Sequence, residues 1–180
     1  RRFTKMVLSG SEIAQVMDEP AVAEPIRLFV GLDSAAVLED RVDLVMDELV
    51  RTGAFERRVL CLASPTGSGY INYVLAESLE YLTLGDCAIA TMQYSMLPSS
   101  MSLTRTGLAI EQNRALMHAV TGYLRGLPEA RRPRLVLFGE SLGALTMQDI
   151  WRHRNVDAMD RDFIHLSLIH ISEPTRPERI

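Results

Sequence analysis

Arg134-Leu-Val-Leu-Phe138 runs directly into Gly139-Glu-Ser-Leu-Gly143. The first five residues form a short apolar run that reads as a strand, and a helix begins near Leu142. The turn between them matches G-x-S-x-G in the strand–turn–helix setting of a nucleophile elbow. So tight a turn needs small residues two places before and two places after the serine, and Gly139 and Gly143 occupy those places. It lifts the Ser141 hydroxyl out of the sheet. It also aims the Leu142 backbone N–H, at the positive end of the new helix, toward a developing oxyanion.

The same alternation extends toward the N-terminus. Ile26 to Leu32 is a short apolar strand. Val37 to Val50 is a helix whose Leu38, Val42, Val45 and Leu49 recur on one face, with Gly53 placed for a left-handed cap. Arg58 to Ala63 is a second strand, Ile71 to Leu84 a helix closed by Gly85, and Cys87 to Tyr94 a third strand. Thr106 to Leu124 is a longer helix with Leu116, Val120, Tyr123 and Leu127 on one face, stopped by Pro128. Before Ile26, Pro20 and Pro25 allow a short helix from Ser11 to Met17, with Ser11 as its cap. Strands alternating with helices predict βαβ units and a doubly wound, mostly parallel α/β sheet. Strands that are apolar throughout fit burial on both faces.

In such a sheet the chemistry gathers at the carboxyl ends of the strands. Besides the elbow, the segments placed there are Asp33-Ser34, Ser64 to Gly69, and Tyr94-Ser95. The glycine-containing loop Pro65-Thr66-Gly67-Ser68-Gly69 follows the strand expected to supply a second oxyanion donor, which makes Thr66 and Gly67 candidates. It lacks the lysine of a phosphate loop and the three-glycine dinucleotide spacing. Tyr94 is a candidate pocket wall. Ser34 is a candidate helix cap or substrate contact.

The 180 residues carry 47% apolar and 23% charged side chains, ordinary globular values that exclude disordered, collagen-like and coiled-coil chains. A net charge of −4 gives no electrostatic reason to expect nucleic acid or an anionic membrane surface. No apolar run is long enough to span a bilayer, and Arg1-Arg2-Phe3 opens no signal peptide. Cys61 and Cys87 sit in apolar strands and read as buried, inert thiols with no metal-binding spacing.

The composition changes abruptly near Leu166. Ser167-Leu-Ile-His-Ile-Ser-Glu-Pro-Thr-Arg-Pro-Glu-Arg-Ile180 resembles an in-frame translation of a sequencing-library adapter. Residues 166–180 are therefore expected to be non-native and are set aside from the fold, leaving residues 1–165 as a catalytic-type domain.

Read in order, Val30-Gly-Leu-Asp-Ser34, Arg51-Thr-Gly-Ala-Phe55, Pro65-Thr-Gly-Ser-Gly69, Tyr81 to Asp86, Gln93-Tyr-Ser95, and Arg132 through Gly139-Glu-Ser-Leu-Gly-Ala144 resemble one bacterial α/β-hydrolase family. The resemblance covers residues 1–165. It implies a sheet of the α/β-hydrolase type and a serine hydrolase, esterase- or lipase-like, with Ser141 as nucleophile. The expected substrate is a small-molecule or lipid ester, with no cofactor, no metal and no nucleic acid. Family members occur mainly in actinobacteria and alphaproteobacteria and carry a membrane-spanning N-terminal domain. A membrane association is thus expected only through a region preceding this chain.

α/β-hydrolases order their triad as Ser, then Asp or Glu, then His. Each further strand end costs roughly 30 residues, so the stretch from Ser141 to about residue 165 cannot reach two of them. The fold is expected to be C-terminally incomplete, the triad acid and histidine absent, and the chain on its own inactive. A binding or scaffold domain that keeps the hydrolase fold without catalysis is the alternative.

Overall fold

The computed structural model describes residues 6–66, 69–95, 106–152 and 170–171. Among these described residues, five helices and five strands alternate: α1 (Gly10–Met17), β1 (Ile26–Val30), α2 (Leu38–Arg51), β2 (Val59–Ser64), α3 (Tyr73–Leu82), β3 (Cys87–Met92), α4 (Thr106–Gly126), β4 (Arg134–Glu140), α5 (Leu142–Arg152) and β5 (His170–Ile171). The strands form one parallel sheet in the order β1-β3-β2-β4-β5. The doubly wound α/β reading is thus correct, and no helix among the described residues is long and apolar enough to cross a membrane.

The strand order determines which face each helix covers. Crossovers that run in opposite directions along a sheet put their helices on opposite faces. β1→β2, β3→β4 and β4→β5 run one way, while β2→β3 runs back. Accordingly α2 packs on α4 and α4 on α5. Beneath them, Val45 and Leu49 of α2, Val120 and Leu124 of α4 and Met147 of α5 meet Leu60, Leu62, Leu135 and Leu137. The alternate strand residues Cys61, Ala63, Ile89 and Phe138 point to the other face and meet Ala76 of α3 and Ile71. All six residues of β2 and of β3 are buried, as central parallel strands should be.

Several details differ from the sequence reading. The cap of α1 is Ser9, not Ser11: its hydroxyl accepts the Glu12 N–H while Glu12 accepts the Ser9 N–H, a reciprocal capping box. Ser34 does not cap α2; its hydroxyl accepts the Gly31 N–H within a 3₁₀ turn. On α4 the core is reached by Leu124, while Tyr123 is 37% exposed and stacks on Phe55. Gly53 does take the expected left-handed conformation, at φ 70°. β1 is not apolar throughout. Its Arg27 is buried and forms a two-pronged ion pair with Glu80 of α3, Nε to Oε1 at 2.6 Å and Nη2 to Oε2 at 2.8 Å. Of the tail set aside from the fold, His170–Ile171 lies along β4 opposite Gly139 and Glu140. An open strand edge offers backbone groups to any extended segment, whatever its side chains.

Cys61 and Cys87 are both buried. Burial pushes their thiols up to about 12 and about 11, from the ordinary 9.0. The folded chain therefore keeps protons that the unfolded chain releases above about pH 9. Stability contributed by the neutral thiols is complete below that pH and declines as pH rises toward 11–12. Urea midpoints should fall over this interval, and Cys61→Ala should flatten the decline. Below pH 9, thiol reagents should leave the native chain unmodified until it is unfolded.

Candidate active site

The direction of the crossovers changes between β2 and β4: the chain leaving β2 turns toward β3, and the chain leaving β4 turns toward β5. That is the switch point, where the loops diverge and leave a crevice. Ser64, the last residue of β2, is the register partner of Gly139 in β4. The loop after β2 and the G-x-S-x-G turn therefore emerge side by side.

Ser141 itself has φ 54°, in the left-handed region that a residue with a side chain rarely adopts. The turn imposes this conformation, and backbone contacts impose the turn. A Cβ on Gly139 would lie 2.6 Å from the Gly143 carbonyl carbon and 2.7 Å from the Ala144 nitrogen. A Cβ on Gly143 would lie 2.7 Å from the Pro65 carbonyl oxygen and closer still to that of Ser64. Both glycines are thus required, as the spacing predicts, and Gly143 also docks α5 against the β2 loop. The Ser141 carbonyl accepts the first helical bonds, from Ala144 at 3.0 Å and Leu145 at 3.3 Å. The N–H groups of Leu142 and Gly143 precede those bonds and have no partner within the helix.

A buried polar cluster braces this arrangement from behind. Asn113 Nδ2 of α4 donates to Ser64 Oγ and to Thr146 Oγ1, each at 3.0 Å. Thr146 Oγ1 donates to the Gly143 carbonyl at 3.0 Å, so Ser64 is the donor in its 3.2 Å contact with Thr146. One cluster thus joins the end of β2, α4 and the first turn of α5. Sequence reading missed these positioning residues. The signal was Asn113, a polar residue inside the buried stripe between Ala109 and Leu116.

Of the other candidates, Thr66 and Tyr94 lie at this end of the sheet. In the loop after β2, Thr66 donates its N–H to the Tyr70 carbonyl at 3.0 Å, and its carbonyl accepts the Gly69 N–H at 2.8 Å. The Thr66 amide therefore closes the loop on itself. Gly67 lies outside the described residues. Gly69, at φ 81°, sits so close to the Gln93 side chain that a Cβ would collide with it. Tyr94 packs with Leu142 and Ala109, directly beside the elbow. It also lines a cavity of about 260 Å³ together with Leu32, Arg41, Leu108 and Gln112. Its hydroxyl and Arg41 Nε are both buried without a hydrogen-bond partner, and burial pushes the Tyr94 phenol up to about 12. Beside Ser141, Glu140 Oε2 is likewise buried and unpartnered. His118 lies exposed on α4. His153, His165, Asp157, Asp160 and Asp162 lie outside the described residues.

A family model described as an alpha/beta-hydrolase family matches residues 26–166, from the first residue of β1 to beyond α5. No curated protein and no solved structure matches the chain. Hydrolysis is the general activity of that family. The match spans most of the 180 residues and contains the whole strand–turn–helix unit around Ser141, and on that ground the chain belongs to the alpha/beta-hydrolase family.

Proposed function

We propose that the chain is the catalytic core of a serine hydrolase acting on ester bonds, with Ser141 as its nucleophile. The left-handed backbone of Ser141, enforced by Gly139 and Gly143, carries this reading. A strained conformation held by surrounding backbone marks a position where geometry matters more than local stability.

In the proposed reaction the Ser141 oxygen adds to an ester carbonyl, and the hydroxyl proton passes to a general base. The tetrahedral oxyanion takes the Leu142 N–H as one donor, strengthened by the N-terminal end of α5. With the Thr66 amide engaged in its own turn, Gly67, which lies outside the described residues, is the remaining candidate for the second donor. The C–O bond to the alcohol then breaks, the alcohol leaves with a proton, and water hydrolyses the acyl-serine. The cavity beside Tyr94 supplies a place for one arm of the ester, with the Tyr94 hydroxyl and Arg41 Nε free to donate to an oxygen on it.

A serine without a base is a weak nucleophile. The proposal therefore needs an acid and a histidine to reach Ser141; His153, His165, Asp157, Asp160 and Asp162, which follow it in the chain, lie outside the described residues. Ser141→Ala should lower ester turnover by roughly 10³-fold or more. Unchanged turnover of p-nitrophenyl esters by that variant contradicts the proposal. The second reading, a binding domain that keeps the fold without catalysis, predicts no Ser141-dependent turnover.

A further inference from the structure

We propose that an arginine-lined cavity at the amino ends of β2, β3 and β4 binds a phosphate-bearing ligand, at a site separate from the elbow. The cavity measures about 420 Å³, larger than a bare phosphate needs and within the usual range of small-molecule sites. Arg57, Arg58, Arg131, Arg132 and Arg134 line it, against Glu56 and Asp86. Such a positive concentration runs against the chain's overall charge of −4.

Among the described residues, Arg57, Arg58, Arg131 and Arg134 make no ion pair. Arg57 Nε is buried with no hydrogen-bond partner, a donor that a ligand oxygen would satisfy. Arg132 is held in place, with Nε donating to the Leu127 carbonyl at 2.9 Å. Asp86 is partly engaged already, accepting the Arg58 backbone N–H at 3.1 Å. Planar guanidinium forks match phosphate oxygens two at a time and are more weakly hydrated than ammonium groups.

The site is remote from the proposed chemistry. Arg134 opens β4 and Glu140 closes it, so the cavity and Ser141 lie at opposite ends of a strand about 20 Å long. A ligand here would not compete with the ester. Its phosphate could come from a soluble metabolite or from a lipid headgroup, and the two sources separate experimentally.

The test titrates the whole chain with sodium pyrophosphate by calorimetry. In parallel it measures co-sedimentation with phosphatidylcholine vesicles with and without phosphatidylglycerol. At least one probe should bind, and Arg134→Gln and Arg131→Gln should each weaken it roughly tenfold, the loss of one charge-assisted contact. Arg131 is exposed in a 3₁₀ turn, so its variant should melt as the parent does. Pyrophosphate binding alone assigns the site to soluble phosphates, and vesicle binding alone to a headgroup. Binding of both probes marks a phosphate site open to either source. Binding of neither probe, or binding that both substitutions leave unchanged, overturns the proposal.

Discussion

Replacing Glu80 by alanine should cost about 3–5 kcal/mol, the usual cost of removing one partner from a buried ion pair. Arg27 and Glu80 have fully buried side chains and meet through two charge-assisted hydrogen bonds. Glu80 also accepts the Leu8 N–H at 3.4 Å, tying the segment before α1 to α3. Without the carboxylate, a buried guanidinium loses the charged partner that Glu80 supplies. Against a typical total stability of about 5–15 kcal/mol, that loss is a large fraction of the whole. Removing both charges together should recover much of the loss, because two well-packed apolar side chains often replace such a pair at little cost. Urea denaturation of Glu80→Ala and of Arg27→Met/Glu80→Leu measures both. A loss below about 1 kcal/mol for the single variant would contradict the uncompensated-charge account.

Gly143→Ala should damage both the fold and the elbow. The added methyl meets the carbonyl oxygens of Ser64 and Pro65, and backbone at the end of a central strand has little room to give. α5 must then retreat from the β2 loop, straining the Thr146–Gly143 bond and moving the Leu142 N–H relative to Ser141. Overpacking of this kind costs about 1–3 kcal/mol. A shift of about 1 Å at reacting groups costs on the order of 100-fold in rate. Acylation of Ser141 should therefore fall more than stability alone would dictate. Gly122→Ala is the control: a Cβ there meets nothing within 4 Å, and in a helix alanine is favoured over glycine by up to about 1 kcal/mol. A Gly143→Ala protein with parental stability and parental acylation rate would show that the elbow does not depend on this contact.

The contrast between these two sites shows what the sequence made readable. The elbow was legible because its constraints are local: Gly139, Ser141 and Gly143 stand two positions apart, and the turn needs no distant partner to be recognised. Strand and helix alternation was legible for the same reason, since apolar periodicity is written along each element. The Arg27–Glu80 pair was not, because a single arginine in an apolar run carries no mark of a carboxylate 53 positions away. The strand order was also hidden; β3 inserts between β1 and β2 through contacts that no local pattern specifies. The bracing cluster was half legible. Asn113 interrupts a buried stripe, but Ser64 and Thr146 acquire meaning only once β2, α4 and α5 converge. The cap of α1 is different again. Ser9 and Glu12 have the spacing of a capping box and Ser11 does not, so the signal was present and was read two residues late.

The role of Ser141 is tested most directly by where a fluorophosphonate probe attaches. The adduct should map by peptide mass spectrometry to Ser141, and Ser141→Ala should abolish it. An adduct on another residue, or labelling that survives Ser141→Ala undiminished, would contradict the assignment of Ser141 as the nucleophile.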